Sequence, residues 1–280
     1  MRRVERERFP NERDLYGSDG LHLINCAFDG EEDGESALKE SRNIVLEDCF
    51  MNLRYPLWHD GNVKLVRVEM TRNCRAALWY TRNVTIGESK LHGIKAVREC
   101  ANVCVRDTDV VSPEFGWKSR ALVFERCAIE SEYAFLLSAD LTLRGTEFSG
   151  KYSFQYVENA VIEDCRLDTK DAFWHAKNIT VKNCIVKGEY LGWYSENLTF
   201  IDCTIIGTQP LCYCKGLKLI NCKTVACDLA FEYSEVDARI VGSIDSVKNP
   251  RAGKIVADQI GELIYTEDSV YPCECEVIFG

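Results

Sequence analysis

An all-β solenoid of stacked parallel strands is the fold this sequence predicts, on three observations. The first is a beat of nineteen: Cys165, Cys184, Cys203 and Cys222 stand that far apart, and Cys127 lies two steps before Cys165 with Thr146 between them. The second is a recurrent Asn on the same beat, at Asn102, Asn159, Asn178 and Asn197, with Ala121 and Asp140 out of type. Asn43 and Asn62 are also nineteen apart, and a two-residue slip precedes Asn83. The third is strict alternation after each Asn. Pairs such as Ile44/Leu46, Val63/Leu65, Ile179/Val181 and Leu198/Phe200 are apolar, while the residue between them is usually Lys, Thr, Val or Cys. A fixed period of this size marks a stacked repeat, and period-two alternation marks a strand with one buried face.

Each unit reads as three short extended segments joined by polar bends. Six residues after the Asn comes a small residue, from Cys49 through Val68, Ser89, Thr108 and Cys127 to Cys222. Two positions later the chain is apolar again, as at Met51, Leu91, Ile129, Leu167 and Ile205. A third apolar cluster precedes the next Asn, as in Pro56-Leu57-Trp58 and Ala172-Phe173-Trp174. No unit has room for a helix of ordinary length. About 12 coils stacked at roughly 4.8 Å make a solenoid some 55 Å long, by rough reckoning. Leucine-rich repeats carry denser Leu spacing and a helical return, and left-handed hexapeptide helices need a multiple of six, so neither fits.

One domain over residues 1–280 is expected, because no Pro/Gly/Ser linker or low-complexity run divides the chain. Both ends of a solenoid expose an apolar cross-section and unpaired edges, which need covering. Residues 1–20, with Phe9 to Tyr16 at their centre, read as the N-terminal cap; 21–245 as regular coils; and 246–280 as an irregular last coil and tail.

Four segments, DGESALK at Asp33–Lys39, RYPLWH at Arg54–His59, CRAALWY at Cys74–Tyr80 and KYSFQY at Lys151–Tyr156, give the chain a family likeness. They are similar to an uncharacterised bacterial β-helix family, catalogued as domain of unknown function 3737. More broadly, residues 20–245 resemble the right-handed parallel β-helix proteins of the pectate-lyase-like superfamily. The resemblance implies a single-stranded right-handed β-helix and transfers no catalytic residue.

A net charge of −10 argues against nucleic-acid binding, which needs a basic footprint. Met1 to Arg8 is charged and lacks the apolar run of a signal peptide, and nothing approaches a membrane span. Seven of the 15 Cys belong to the nineteen-residue column. Free Cys behaves as a small buried hydrophobe, so an odd count without an export signal predicts reduced thiols in the cytoplasm. Asn83, Asn178 and Asn197 begin N-x-T triplets that the repeat itself explains.

All five Trp fall four residues before an Asn position: Trp58, Trp79, Trp117, Trp174 and Trp193. The position two earlier is small or apolar, as at Pro56, Ala77, Phe115, Ala172 and Leu191. Alternation then turns both columns inward, with Arg98 as the one charge among them. It turns the intervening residues outward: Tyr55/Leu57/His59, Ala76/Leu78/Tyr80, Tyr133/Phe135/Leu137, Tyr152/Phe154/Tyr156, Asp171/Phe173/His175, Tyr190/Gly192/Tyr194 and Gln209/Leu211/Tyr213. An exposed aromatic face of this kind marks a ligand groove or an interface.

The candidate ligand-binding residues are therefore Arg54, His59, Arg75, Tyr80, Tyr152, Tyr156, His175, Tyr190, Tyr194 and Tyr213, with a saccharide as the expected ligand. Sugar C–H faces stack on such rings while charged rims orient hydroxyls or uronates. If the face is catalytic, Glu114, Glu132, Asp171, Glu189 and Asp228 are the candidate acid and base groups, since glycoside hydrolysis needs two carboxylates within about 5–10 Å. Lys151 or Arg75 would be the base of a lyase. Salt bridging along the face is the competing reading for each of them. A non-catalytic scaffold, with the aromatic face buried in a homodimer, is the alternative function. No cofactor or metal is expected: Cys212-x-Cys214 and Cys273-x-Cys275 are tighter than zinc spacing, and the acidic run Asp29 to Glu35 reads as solvated rather than as a Ca²⁺ loop. P-loop, H-E-x-x-H and G-x-S-x-G motifs are absent from the sequence.

Overall fold

The computed structural model describes residues 1–31 and 34–280. Glu32 and Asp33, in the middle of the acidic run considered for Ca²⁺, lie outside the described residues. Contacts divide the chain into two compact units, Met1–Thr142 and Leu143–Gly280.

In the first unit, the strands Arg2–Glu5, Asp19–Ile24, Arg42–Glu47, Gly61–Val66, Arg82–Gly87, Ala101–Arg106 and Arg120–Glu125 pair in chain order, all parallel. Register follows the sequence beat, with Ile44 beside Val63, Val63 beside Val84, and Val84 beside Val103. A second parallel series of shorter strands runs through Ala27–Phe28, Phe50–Met51, Glu69–Met70, Lys90–Leu91, Asp109–Val111 and Ala128–Tyr133. The second unit repeats the plan. Its long series is Glu158–Glu163, Lys177–Lys182, Glu196–Ile201, Leu217–Val225, Glu235–Lys248, Ala252–Ile264 and Glu276–Phe279. Its short series is Glu147–Lys151, Arg166–Lys170, Ile185–Lys187 and Thr204–Ile206.

The fold is thus an all-β parallel solenoid of about 15 turns with about 19 residues in each. The expected twelve is too low. Arg2–Glu5 already forms a rung, with Arg2 beside Leu21 on the nineteen-residue register. At the other end, Ala252–Ile264 and Glu276–Phe279 add rungs beyond the point where the sequence beat decays. Among the described residues the only helical element is a 3₁₀ turn at Arg72–Cys74, which accommodates the two-residue slip before Asn83.

The two columns after each Asn are buried without exception, from Ile44 and Leu46 to Leu217 and Leu219. The third column, Met51 through Leu91, Ile129 and Leu167 to Ile205, closes the core. Corners are built from residues that tolerate a left-handed backbone. The column Asn have φ of +54° to +60°, and their amides form ladders: Asn62 donates to Asn43 (3.0 Å), Asn83 to Asn62 (2.9 Å), and Asn197 to Asn178 (3.0 Å). Asn is favoured there because its short side chain tolerates the left-handed region.

The Cys column is buried, and all fifteen thiols are free. Each column sulfur donates toward carbonyls at its own corner, as Cys203 does to Val181 O (3.4 Å) and Ile201 O (3.2 Å). A second small-residue column, unnoticed in the sequence, lies two before the Asn and includes Ser41, Asp60, Thr81, Cys100, Ser119, Ser138, Ser195, Cys214 and Ser234, all buried. Its side chains accept the N–H of the preceding rung, as Ser119 does from Cys100 (3.0 Å) and Asp60 from Ser41 (2.9 Å).

Candidate functional site

In the first unit the third side of the turns holds a short parallel pair at Leu78–Trp79 and Val97–Arg98. In the second unit, which carries most of the candidate site, it is not a strand from Tyr152 to Tyr156, Asp171 to His175 or Tyr190 to Tyr194. Left-handed residues recur there at every second position: Asp171, Phe173 and His175 have φ of +52°, +63° and +55°, and Tyr190, Gly192 and Tyr194 of +55°, +76° and +60°. Backbone hydrogen bonds still join successive turns, as from Asp171 N–H to Glu189 O (2.9 Å) and from His175 N–H to Trp193 O (3.0 Å). Period-two reasoning requires an extended backbone, so it fails here.

This corrects the expected orientation. Leu57, Leu78, Phe135, Phe154, Phe173 and Leu211, assigned to the outer face, are buried alongside Pro56, Ala77, Phe115 and Ala172. Two consecutive positions point inward. The Trp column, assigned to the core, is instead half-buried beneath an exposed column.

The exposed column lies three residues before the Asn. In the second unit it is a ladder of rings: Tyr156 on His175 (4.8 Å between centroids, 10° between planes), His175 on Tyr194 (5.1 Å, 7°), and Tyr194 on Tyr213 (4.7 Å, 13°). Tyr233 and Tyr271 extend it at steeper angles. Tyr156 and Tyr194 are 46% and 45% exposed, so nearly half of each residue remains available to solvent. Because the rings stack on one another, they present edges, hydroxyls and an imidazole outward rather than open faces. The expectation that sugars lie flat on each ring does not survive this geometry.

Beneath the ladder, Trp174 stacks on Trp193 (5.4 Å, 6°), and their indole N–H groups donate to Tyr190 O (2.7 Å) and Gln209 O (2.9 Å). Tyr190 packs edge-on against Trp193 (5.4 Å) and lies under Lys170 Nζ (5.4 Å). Lys170 also pairs with Glu189 (2.8 Å) and is the ladder neighbour of exposed Lys151. Asp171 is 6% exposed, and burial raises its carboxyl above the ordinary range, partly opposed by Lys170. Burial likewise pushes the Tyr213 hydroxyl up to about 12, keeping it a hydrogen-bond donor at neutral pH. Tyr152, Tyr156, His175, Tyr190, Tyr194 and Tyr213 thus come together with Lys151, Asp171 and Glu189 on one side of this unit. Asp228 lies half-buried farther along the same unit.

The other candidates belong to the first unit. His59 stacks on Tyr80 (4.8 Å), and Arg54 and Arg75 flank the same side. Glu114 bridges Lys95 and Arg98, each at 3.3 Å, which occupies it as a salt-bridge partner. Glu132 is exposed. Arg98, a charge in the Trp column, takes the place of a ring: its guanidinium lies 5.2 Å from the Trp79 centroid and 5.1 Å from that of Trp117. Lys39 covers Trp58 at 4.6 Å in the same column. Cation and indole stack interchangeably here, so a charge in a half-buried aromatic column is accommodated. Among the described residues no three His, Cys, Asp or Glu side chains converge on one metal position. Among the described residues no helix is long and apolar enough to cross a membrane.

The family described as "Protein of unknown function (DUF3737)" matches residues 2–278. The chain belongs to this family. Comparison with curated proteins finds no match. Solved structures similar to the chain include PfbA, a surface adhesin of Streptococcus pneumoniae, at 11% identity and TM-score 0.40, covering 92% of this chain and 82% of that one. Another is the A-module of the Azotobacter vinelandii mannuronan C-5 epimerase AlgE4, at 11% identity and TM-score 0.34, with 98% and 89% covered. A mutant tailspike of Escherichia coli bacteriophage HK620 in complex with hexasaccharide matches at 10% identity and TM-score 0.31, with 92% and 66% covered. Likenesses this distant carry no argument about what members of this family do.

Proposed function

We propose that the ring ladder Tyr156–His175–Tyr194–Tyr213 binds an extended carbohydrate along its outer edge. The observation that carries this reading is the ladder itself: aligned polar ring edges, repeating from turn to turn and partly open to solvent. Tyrosine hydroxyls and an imidazole in file offer hydrogen bonds to a polymer of hydroxyl groups, while the flat sides of the rings are satisfied by one another. Lys151 and the Lys170–Glu189 pair form a charged border that orients the chain. Binding rather than catalysis is the role these groups support. Glu189 is held by Lys170, and Asp171, whose raised carboxyl would suit an acid, is almost wholly buried. Fifteen free thiols suit a reducing compartment, so we place this binding in the cytoplasm.

The test is the double variant Tyr156→Ala with Tyr194→Ala, assayed by fluorescence anisotropy against labelled cellohexaose and hexagalacturonate, and by mass in solution. Binding by the wild type and its loss by at least tenfold in the variant, at unchanged mass, is the expected result. Dissociation of an oligomer without loss of binding would assign the ladder to a homodimer interface instead. Wild-type protein that binds neither sugar would reject the reading.

A further inference from the structure

The second unit holds four cysteine thiols on four successive turns, Cys165, Cys184, Cys203 and Cys222, and the ladder site makes no use of them. Their sulfurs face one another in file: Cys184 meets Cys165 on one side and Cys203 on the other, and Cys203 meets Cys222. Every other stretch of this column is interrupted by Val68, Ser89, Thr108 or Thr146, apart from the pair Cys26 and Cys49. Backbone donors reach the row as well. Cys165 N–H points at Cys184 Sγ (3.3 Å), and the N–H groups of Cys184 and Cys203 face the next sulfurs in the same way. The sulfurs of Cys184, Cys203 and Cys222 therefore each have a backbone N–H of the preceding turn beside them.

A cleft opens at the same corner. It has a volume of about 320 Å³, reaches Cys165 and Cys184, and is bordered by Asp164, Arg166, Asn183, Ile185, Asp202 and Thr204. Asn183 donates to Asp164 (2.5 Å), which orients one carboxylate at the mouth. A cation approaching this corner meets two carboxylates and two sulfurs, with the Arg166 guanidinium beside them paired to Glu147 (3.7 Å).

We propose that this row binds a soft, two-coordinate d¹⁰ cation of the Cu(I) or Ag(I) kind between the sulfurs of adjacent turns, entering through the cleft. Spacing selects the chemistry. Equivalent positions on neighbouring rungs repeat at about 4.8 Å. Two metal–sulfur bonds of about 2.3 Å in line span roughly 4.6 Å, so a linear S–metal–S unit fits without moving the backbone. A disulfide needs Cβ atoms about 3.8 Å apart, closer than parallel side chains on stacked rungs stand. Thiolate donors favour such soft ions over Mg²⁺ or Ca²⁺. Binding forms two metal–sulfur bonds, breaks two S–H bonds and releases two protons to solvent, with no change of oxidation state.

The experiment titrates Ag(I) into protein that has been fully reduced and then freed of reductant, under nitrogen in chloride-free buffer, followed by native mass spectrometry, proton release and thermal melting. The double variant Cys184→Ser with Cys203→Ser is the comparison, and Cys127→Ser, flanked in its column by Thr108 and Thr146, is the control. Ser89 occupies this column already, so serine is compatible with the fold. The expected result is at least one more Ag(I) on wild type and on Cys127→Ser than on the double variant. About two protons should be released for that ion, with a rise of several degrees in melting midpoint that the double variant lacks. Equal uptake and equal shift in all three proteins would overturn the proposal. So would a lowered midpoint on Ag(I) addition, or ready formation of a Cys165–Cys184 disulfide with hydrogen peroxide, since that would show the sulfurs resting at bonding distance rather than at the linear span.

Discussion

Asp60 sits where its neighbours in the column are Ser41 and Thr81. One oxygen accepts the Ser41 N–H, the other is buried without a partner, and burial raises the carboxyl to about 8. The folded protein therefore holds a proton that the unfolded chain releases near the ordinary carboxylate value. Stability contributed by the neutral acid is complete below that value and is lost as pH rises to about 8. Asp60→Ser should remove this dependence and raise stability at pH 8 by on the order of 2–4 kcal/mol, with little gain at pH 4. Urea unfolding of both proteins at the two pH values checks it. Arg98 illustrates the opposite case of a charge well placed. Arg98→Ala removes the cation between Trp79 and Trp117 and leaves Glu114 with Lys95 alone, at an expected cost of about 1–2 kcal/mol. Arg98→Trp, which continues the column with a ring, should recover much of that loss in thermal melting.

At the scale of the strand, the post-Asn segments were readable because an extended backbone sends alternate side chains to opposite faces. Val181 is fully buried between Ile162 and Phe200, as its column predicted. Val181→Asp should cost several kcal/mol, since the carboxylate has no partner there; an unchanged melting midpoint would contradict the packing described. The third side was misread for a physical reason. Left-handed residues at every second position, most of them Tyr, Phe, His or Leu, carry no glycine signature, so nothing in their identity announces the backbone. Pro56 and Pro210 were the available clue. Pro210 falls between left-handed Gln209 and Leu211, and Pro56 directly follows left-handed Tyr55; a residue without an N–H is out of place inside a regular ladder. The ring ladder itself was legible in part: Tyr156, His175, Tyr194 and Tyr213 were singled out, while Phe154 and Phe173 were placed with them and belong to the core.

For the whole chain, the thiols offer the broadest check. Thirteen of fifteen are buried, and Cys104 and Cys273 are half-exposed. Ellman titration of native protein should detect about two fast thiols, with the others appearing only on denaturation; rapid reaction of all fifteen would contradict the burial of both small-residue columns. The acidic balance of −10 sits beside many ion pairs that link one rung to the next, among them Arg67 with Asp48 (2.6 Å) and Arg126 with Asp107 (2.7 Å). Such exposed pairs add little stability singly. They match like positions on adjacent turns, and so favour one register over its neighbours.

That register, Ile179 beside Ala160 on one side and Leu198 on the other, makes a turn of this protein a unit of length. A turn meets above and below what its own neighbours would offer each other. Chain growth by duplication is therefore open to this architecture, and so is shortening by whole turns. Excising Lys177–Ser195, one full period, should leave a folded protein one rung shorter, whereas excising eighteen of those residues would leave the joined turn one residue out of step, to be absorbed at a corner as the slip before Asn83 is. Length, on this view, is the property most easily changed across evolution, and the span of any polymer bound along the ladder would change with it, one rung at a time.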